Sequence, residues 1–153
     1  MHTYFVEYLE ALRNQHAEIK RAYADLPTAG LDWKPIPGAN SLAALAAHVA
    51  GAQTFLLGDL ISGRPSQRQR DSEFATEKRN VSALDALLDA AMEDSRAVLE
   101  SLSLDDLATE RFSERHQRNF TVAWMLHHAL DHASQHAGHA QLTRQLWDQQ
   151  EHV

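Results

Sequence analysis

The segment LDHASQHAGHAQL, residues 130–142, holds His132, His136 and His139, and His127 and His128 lie just upstream. Imidazole is a transition-metal ligand, a hydrogen-bonding group of either sense, and a base that titrates near neutral pH. His132 and His136 are four apart. On a helix that spacing stacks two rings one turn apart on one face, so that both can reach a single ion. Two ligands make a weak site, and a third must come from another element. His48, in LAALAAHVAGA, is the candidate, an isolated polar residue among alanines and a glycine. A polar residue in such a run is either a core histidine with a hydrogen-bond partner or a ligand, and together with the pair it favours the ligand. Three protein ligands leave a position open, the pattern of catalytic rather than closed structural sites. An all-imidazole set suits zinc, nickel, iron or copper, and affinity order alone does not choose among them. Zinc or nickel leads, with iron as the alternative.

These histidines need rigid elements to hold them. Four long helical patterns are visible, from about Thr3 to Asp25, from Asn40 or Ser41 to about Ser62, from Ser82 to about Leu102, and from Thr121 to about Gln149. Tyr4, Tyr8, Ala11, Leu12, Ile19 and Tyr23 form the apolar stripe of the first. Leu84, Leu87, Leu88, Ala91, Met92, Ser95, Val98 and Leu99 form that of the third. Ser41, Ser82 and Thr121 are suitable N-caps. Strand signals are nearly absent. The expected fold is all-α, a single four-helix bundle over residues 1–153, with long loops after the first and second helices that are suited to shaping a pocket.

On a wheel of about 100° per residue with His128 at zero, His132 falls near 40°, His136 near 80° and His139 near 20°. Trp124, Met125, Leu142 and Leu146 lie on or beside that stripe, which predicts that it faces the core. His127 points away. His128 and His139 are candidates to support the ligands from behind or to contact substrate. His2, His16, His116 and His152 are expected at the surface, and Trp33, Trp124 and Trp147 in packing roles.

Composition narrows the function. The net charge is −7 with histidines neutral, whereas nucleic-acid binding requires a basic face. The one basic cluster, GRPSQRQR with Arg64, Arg68 and Arg70, reads as a solvated loop. The apolar run 42–61 is long enough to span a membrane, but it is largely alanine and contains His48, Gln53, Thr54 and Asp59, so a buried helix fits better. The N-terminus, MHTYFVEYLEALR, lacks the apolar run of a signal peptide, and a cytoplasmic protein is expected. There are no cysteines, so any thiol nucleophile has to be a diffusible cofactor.

LDWKPIPGANSLAALAAHVAG followed by HASQHAGHAQLTRQLW resembles the DinB/YfiT-like family. The family pattern is a tryptophan and proline ahead of a capped helix with one histidine, then a histidine pair, a small residue, glycine and a polar residue. Here these are Trp33, Pro35, Ser41, His48, His132, His136, Ala137, Gly138 and His139. The resemblance implies a four-helix bundle of unusual connectivity, a divalent metal on His48, His132 and His136, and frequent homodimers. It also implies a small-molecule substrate, since some relatives are transferases or isomerases that use a low-molecular-weight thiol. The leading expectation is a thiol-using, metal-dependent transferase. The alternatives are a metal-dependent hydrolase and a non-enzymatic metal-binding stress protein.

The purified protein should carry up to one divalent transition metal per chain. His48→Ala, His132→Ala and His136→Ala should each weaken binding sharply, whereas His152→Ala should not. Full metal retention in the His132→Ala, His136→Ala double variant, by elemental analysis, would falsify the ligand set.

Overall fold

The computed structural model describes residues 1–150. Its elements in chain order begin with α1 (Thr3–Tyr23), the short α2 (Thr28–Asp32) and α3 (Leu42–Gln53), which passes directly into a π-helix (Thr54–Ile61). The short α4 (Arg70–Phe74) and the long α5 (Val81–Glu100) follow, then a 3₁₀ turn (Leu104–Ala108), a hairpin of β1 (Glu110–Ser113) and β2 (Arg118–Thr121), and α6 (Val122–Gln150). Helices α1, α3 with its π extension, α5 and α6 form a four-helix bundle. Helix α6 packs on both α1 and α3, and α3 packs on α5.

Local chemistry explains most of the boundaries. The Ser41 hydroxyl accepts from Ala44 N and starts α3, and the Thr121 hydroxyl accepts from Trp124 N and starts α6. Helix α5 starts slightly earlier than Ser82 implies, because Asn80 caps it by accepting from Ala83 N. The His2 ring caps α1.

Among the described residues one helical stretch, Leu42–Ile61, is long and apolar enough to cross a membrane, but most of it is buried inside the bundle. It is the core helix. Alanines at 43, 44, 46, 47 and 50 let its neighbours approach closely. Leu84, Leu88, Ala91, Val98 and Leu99 of α5 pack into the same core, while Leu87 is exposed.

Three expectations are corrected. First, a two-stranded antiparallel hairpin exists, pairing Glu110 with Thr121 and Ser113 with Arg118. Its sequence is too polar and too rich in arginine to show as strand. Second, α6 buries Met125, Leu126, Ala129, Ala133, Ala137, Ala140 and Thr143. Its histidine stripe lies roughly 80° round the helix from that line, on the flank of the core rather than in it. Trp124 and Leu142 are 39% and 55% exposed, and Leu146 is exposed too. Small alanines make the contact face because they bring helices closest.

Third, His16 is not at the surface. It is 3% exposed, and its Nε2 lies 2.7 Å from Gln53 Oε1. The Gln53 amide donates to Ala91 O and Ser95 Oγ. Its oxygen must therefore accept, so His16 Nε2 carries the proton. Burial pushes the His16 pKa down to about 4, so the ring is neutral. Trp33 and Trp147 pack edge to face at 5.8 Å beside Gly30. His152 lies outside the described residues.

His16→Ala empties a buried site and strips Gln53 Oε1 of its donor. It should cost about 2–4 kcal/mol of stability while leaving metal content unchanged. Urea unfolding together with elemental analysis checks both halves. A loss of stability below about 1 kcal/mol would show the buried network to be dispensable.

Candidate metal centre

Helix α3 carries His48 on the side that meets α6, and α6 presents His132 and His136 one turn apart. One ligand atom from each ring lies within 4.8 Å of the others. His48 Nε2 and His132 Nε2 are 3.0 Å apart. The ring centroids are separated by 4.8 Å for His48 and His132, 5.1 Å for His48 and His136, and 4.4 Å for His132 and His136. A tetrahedral ion with nitrogen bonds of about 2 Å places its ligand nitrogens about 3.3 Å apart. The three imidazoles therefore fit one ion with small rotations of their side chains.

The protonation states fit as well. Burial, then the neighbouring histidines His136, His48 and His128, pushes His132 down to about 3, and burial with His48 and His139 pushes His136 down to about 4. Burial also lowers His48, against the opposing pull of Glu73. All three are neutral near pH 7, as metal ligands must be.

Sequence reasoning missed what fixes His48. Its Nδ1 donates to Glu73 Oε2 at 2.8 Å, so the neutral ring has a bare Nε2 that points at the other two histidines. Glu73 is 8% exposed. Burial alone would raise its pKa, but two hydrogen bonds from Arg68, at 2.6 and 2.8 Å, and the one from His48 hold it below the usual range. The pair is therefore ionised Glu73 and neutral His48.

Arg68, read from sequence as a solvated loop residue, is instead locked to this carboxylate. Arg64 is also paired, bidentate with Asp94. Glu73 reaches His48 because residue 51 is glycine, where an added Cβ would overlap the Glu73 carboxylate. A glycine inside a helical alanine run costs about 1 kcal/mol relative to alanine and marks a close approach. Gly51 is therefore the one sequence signal that could have pointed to a partner here. The spacing between His48 and Glu73 carries no such signal.

His139 Nδ1 lies 3.3 Å from His136 Nδ1, behind the ligand position. His128 stands apart from the triad. It stacks on Trp124 at 4.6 Å and lines a cleft of about 220 Å3 with His48 and His132. Phe55, Leu56 and Trp124 supply the cleft's apolar side. His116, on the hairpin turn, is exposed as expected but lines the same cleft. His127 is exposed and turned away. A larger groove of about 810 Å3 lies on the other side of Glu73 and has no histidine in its wall.

The fold and site together define a helical bundle with three converging histidines that could hold a metal ion beside an open cleft. The chain belongs to the DinB superfamily, whose family model matches residues 11–140. No curated protein matches it in sequence. Among solved structures it is similar to a conserved protein from Enterococcus faecalis, with a TM-score of 0.73 and 20% identity over 91% of this chain and 94% of that one. It is also similar to YfiT from Bacillus subtilis, described as a probable metal-dependent hydrolase with an unusual four-helix bundle topology. That match has a TM-score of 0.71 and 16% identity over 94% of this chain and 87% of YfiT. A mycothiol-dependent maleylpyruvate isomerase matches with a TM-score of 0.65 and 21% identity over 88% of this chain, which spans 59% of the isomerase. At these identities the likeness establishes the fold.

Glu73→Gln should lower metal affinity about 10- to 100-fold, measured by competition with a chelator. An unchanged affinity would mean that His48 needs no orienting carboxylate. The depressed pKa values also set the pH range of binding. His132 and His136 are lowered to about 3 and about 4, so protons compete little at about pH 6, where free imidazoles would already be titrating. Occupancy measured by dialysis should hold down to about pH 6 and fall as pH drops towards about 4.

Proposed function

We propose that this chain is a metal-dependent enzyme in which His48, His132 and His136 hold a divalent ion, zinc or nickel first and iron as the alternative. Its reaction is the transfer of a low-molecular-weight thiol to an electrophilic small molecule. The observation that carries the reading is the convergence of three neutral imidazoles, two of which, His48 and His132, line an open cleft. An ion bound there would favour the anion of a thiol or a water near neutral pH.

The remaining roles belong to the chain's own residues. Glu73 holds the His48 ring in the tautomer that frees Nε2, and Arg68 keeps Glu73 ionised. Phe55, Leu56 and Trp124 exclude water from the reacting end. His128 faces the cleft outside the triad and is placed to accept the proton that the nucleophile gives up. The chain has no cysteine, so the thiol must come from solution. The mycothiol dependence of the similar isomerase supports this reading.

Metal-dependent hydrolysis is the second reading. It is favoured by the description of YfiT, which this chain matches over most of its length, whereas the isomerase extends well beyond the bundle.

Cobalt-substituted protein separates the two. A thiol that binds at the centre should bring up a sulfur-to-metal charge-transfer band, and the same thiol should support turnover that His48→Ala abolishes. Glutathione, mycothiol and bacillithiol are to be tried in turn. The absence of any band at millimolar thiol, together with thiol-independent hydrolysis, would replace the first reading with the second.

A further inference from the structure

Part of the wall of the histidine cleft is made of arginine. Arg68, Arg70 and Arg115 line it and no aspartate or glutamate does, in a chain with 21 acidic and 14 basic residues. Arg68 is matched by Glu73, but Arg70 and Arg115 make no ion pair among the described residues. Two acids lie nearby without lining the cleft: Asp71 shares the adjoining surface depression with Arg70 and Arg115, and Glu114 shares a pocket beside β1 with Arg68 and Arg115.

The two exposed guanidiniums come to the cleft from different elements. The Arg70 guanidinium lies 4.7 Å over the Phe74 ring, and Phe74 stacks 4.4 Å from the His48 ring. The positive charge is thus one aromatic ring away from the triad. Arg115 comes from the other side, on the turn between β1 and β2, next to His116. Loss of solvent around the ring, then the like charges of Arg115, His128, Arg68 and Arg118, lowers the pKa of His116. A set of three neutral imidazoles does not offset the charge of a bound dication, so the whole cleft has a positive field. Guanidinium is the side chain best shaped for a carboxylate. The cleft, about 220 Å3, is smaller than the roughly 300–1,000 Å3 of pockets for drug-sized ligands.

We propose that this cleft selects a small organic acid, with its carboxylate between Arg70 and Arg115, its carbon skeleton against Phe55, Leu56 and Trp124, and its reacting end at His48 and His132. The assignment rests on the proposed metal centre for the reacting end only. The carboxylate belongs either to the electrophilic substrate or to the thiol.

The test is calorimetric titration of the full chain, metal-loaded and chelated, with succinate, succinamide, glutathione and 2-mercaptoethanol. Succinate or glutathione should bind, more weakly as salt is added. Arg70→Gln and Arg115→Gln should each weaken that binding about tenfold, with helical circular dichroism and metal content unchanged. Arg13→Gln, outside the cleft, should have no effect. Arginine dependence for succinate places the carboxylate on the substrate, and arginine dependence for glutathione alone places it on the thiol. Succinamide binding as well as succinate would overturn the proposal. So would binding that is indifferent to both arginine variants, or no binding by either acid. A wild-type chain that holds no metal would sink the metal centre instead, while the chelated titrations would still read the arginines.

Discussion

A buried carboxylate governs this structure. Glu73 is almost fully removed from water, and an unpaired anion there would cost several kcal/mol. Three hydrogen bonds, two from Arg68 and one from His48, are what allow it to remain charged. The same bonds fix the loop between the π-helix and α5 against α3, set the His48 tautomer, and require residue 51 to have no side chain. The loop is thus part of the site, and the orientation of His48 depends on residues 20 and 25 positions further along the chain.

The bundle supplies the other half of the geometry. Alanines on α3 and α6 allow the close helix approach that brings His48 and His132 to 3.0 Å. On α6 the alanines face the core, and His128, His132 and His136 lie on the flank, half-buried. That offset suits a reactive centre. His16, inside the core, spends its Nε2 on Gln53, whereas His48, also buried, keeps its Nε2 free because Glu73 takes its Nδ1. A histidine on the flank is desolvated enough to stay neutral yet remains open to the cleft.

The π-helix and the hairpin complete the cleft. An i to i+5 turn takes an extra residue, so the side chains beyond Gln53 are rotated from where a continued α-helix would put them, and Phe55 and Leu56 line the cleft. The hairpin delivers Arg115 and His116 from the opposite side. The superfamily bundle is matched at 16–21% identity by proteins of differing described function. The fold alone therefore does not dictate a reaction.

The sequence by itself determined the four long helices, their approximate ends, and the trio His48, His132 and His136 as candidates. Periodicity and capping are local properties, and an i, i+4 pair shares a face in any helix. It also determined that any thiol must come from outside, since the chain has no cysteine. Only the tertiary structure decided which face of α6 is buried, because alanine has little hydrophobic signal and histidine fits either side of an amphipathic pattern. His16 shows the same limit: a single polar residue does not reveal a partner such as Gln53, 37 positions away. Glu73, Arg68 and the Arg70 and Arg115 wall were illegible for a related reason. They sit in polar, aperiodic segments whose charges look solvated, and only long-range packing takes Glu73 and Arg68 out of water against His48 and leaves Arg70 and Arg115 exposed at the rim of the cleft.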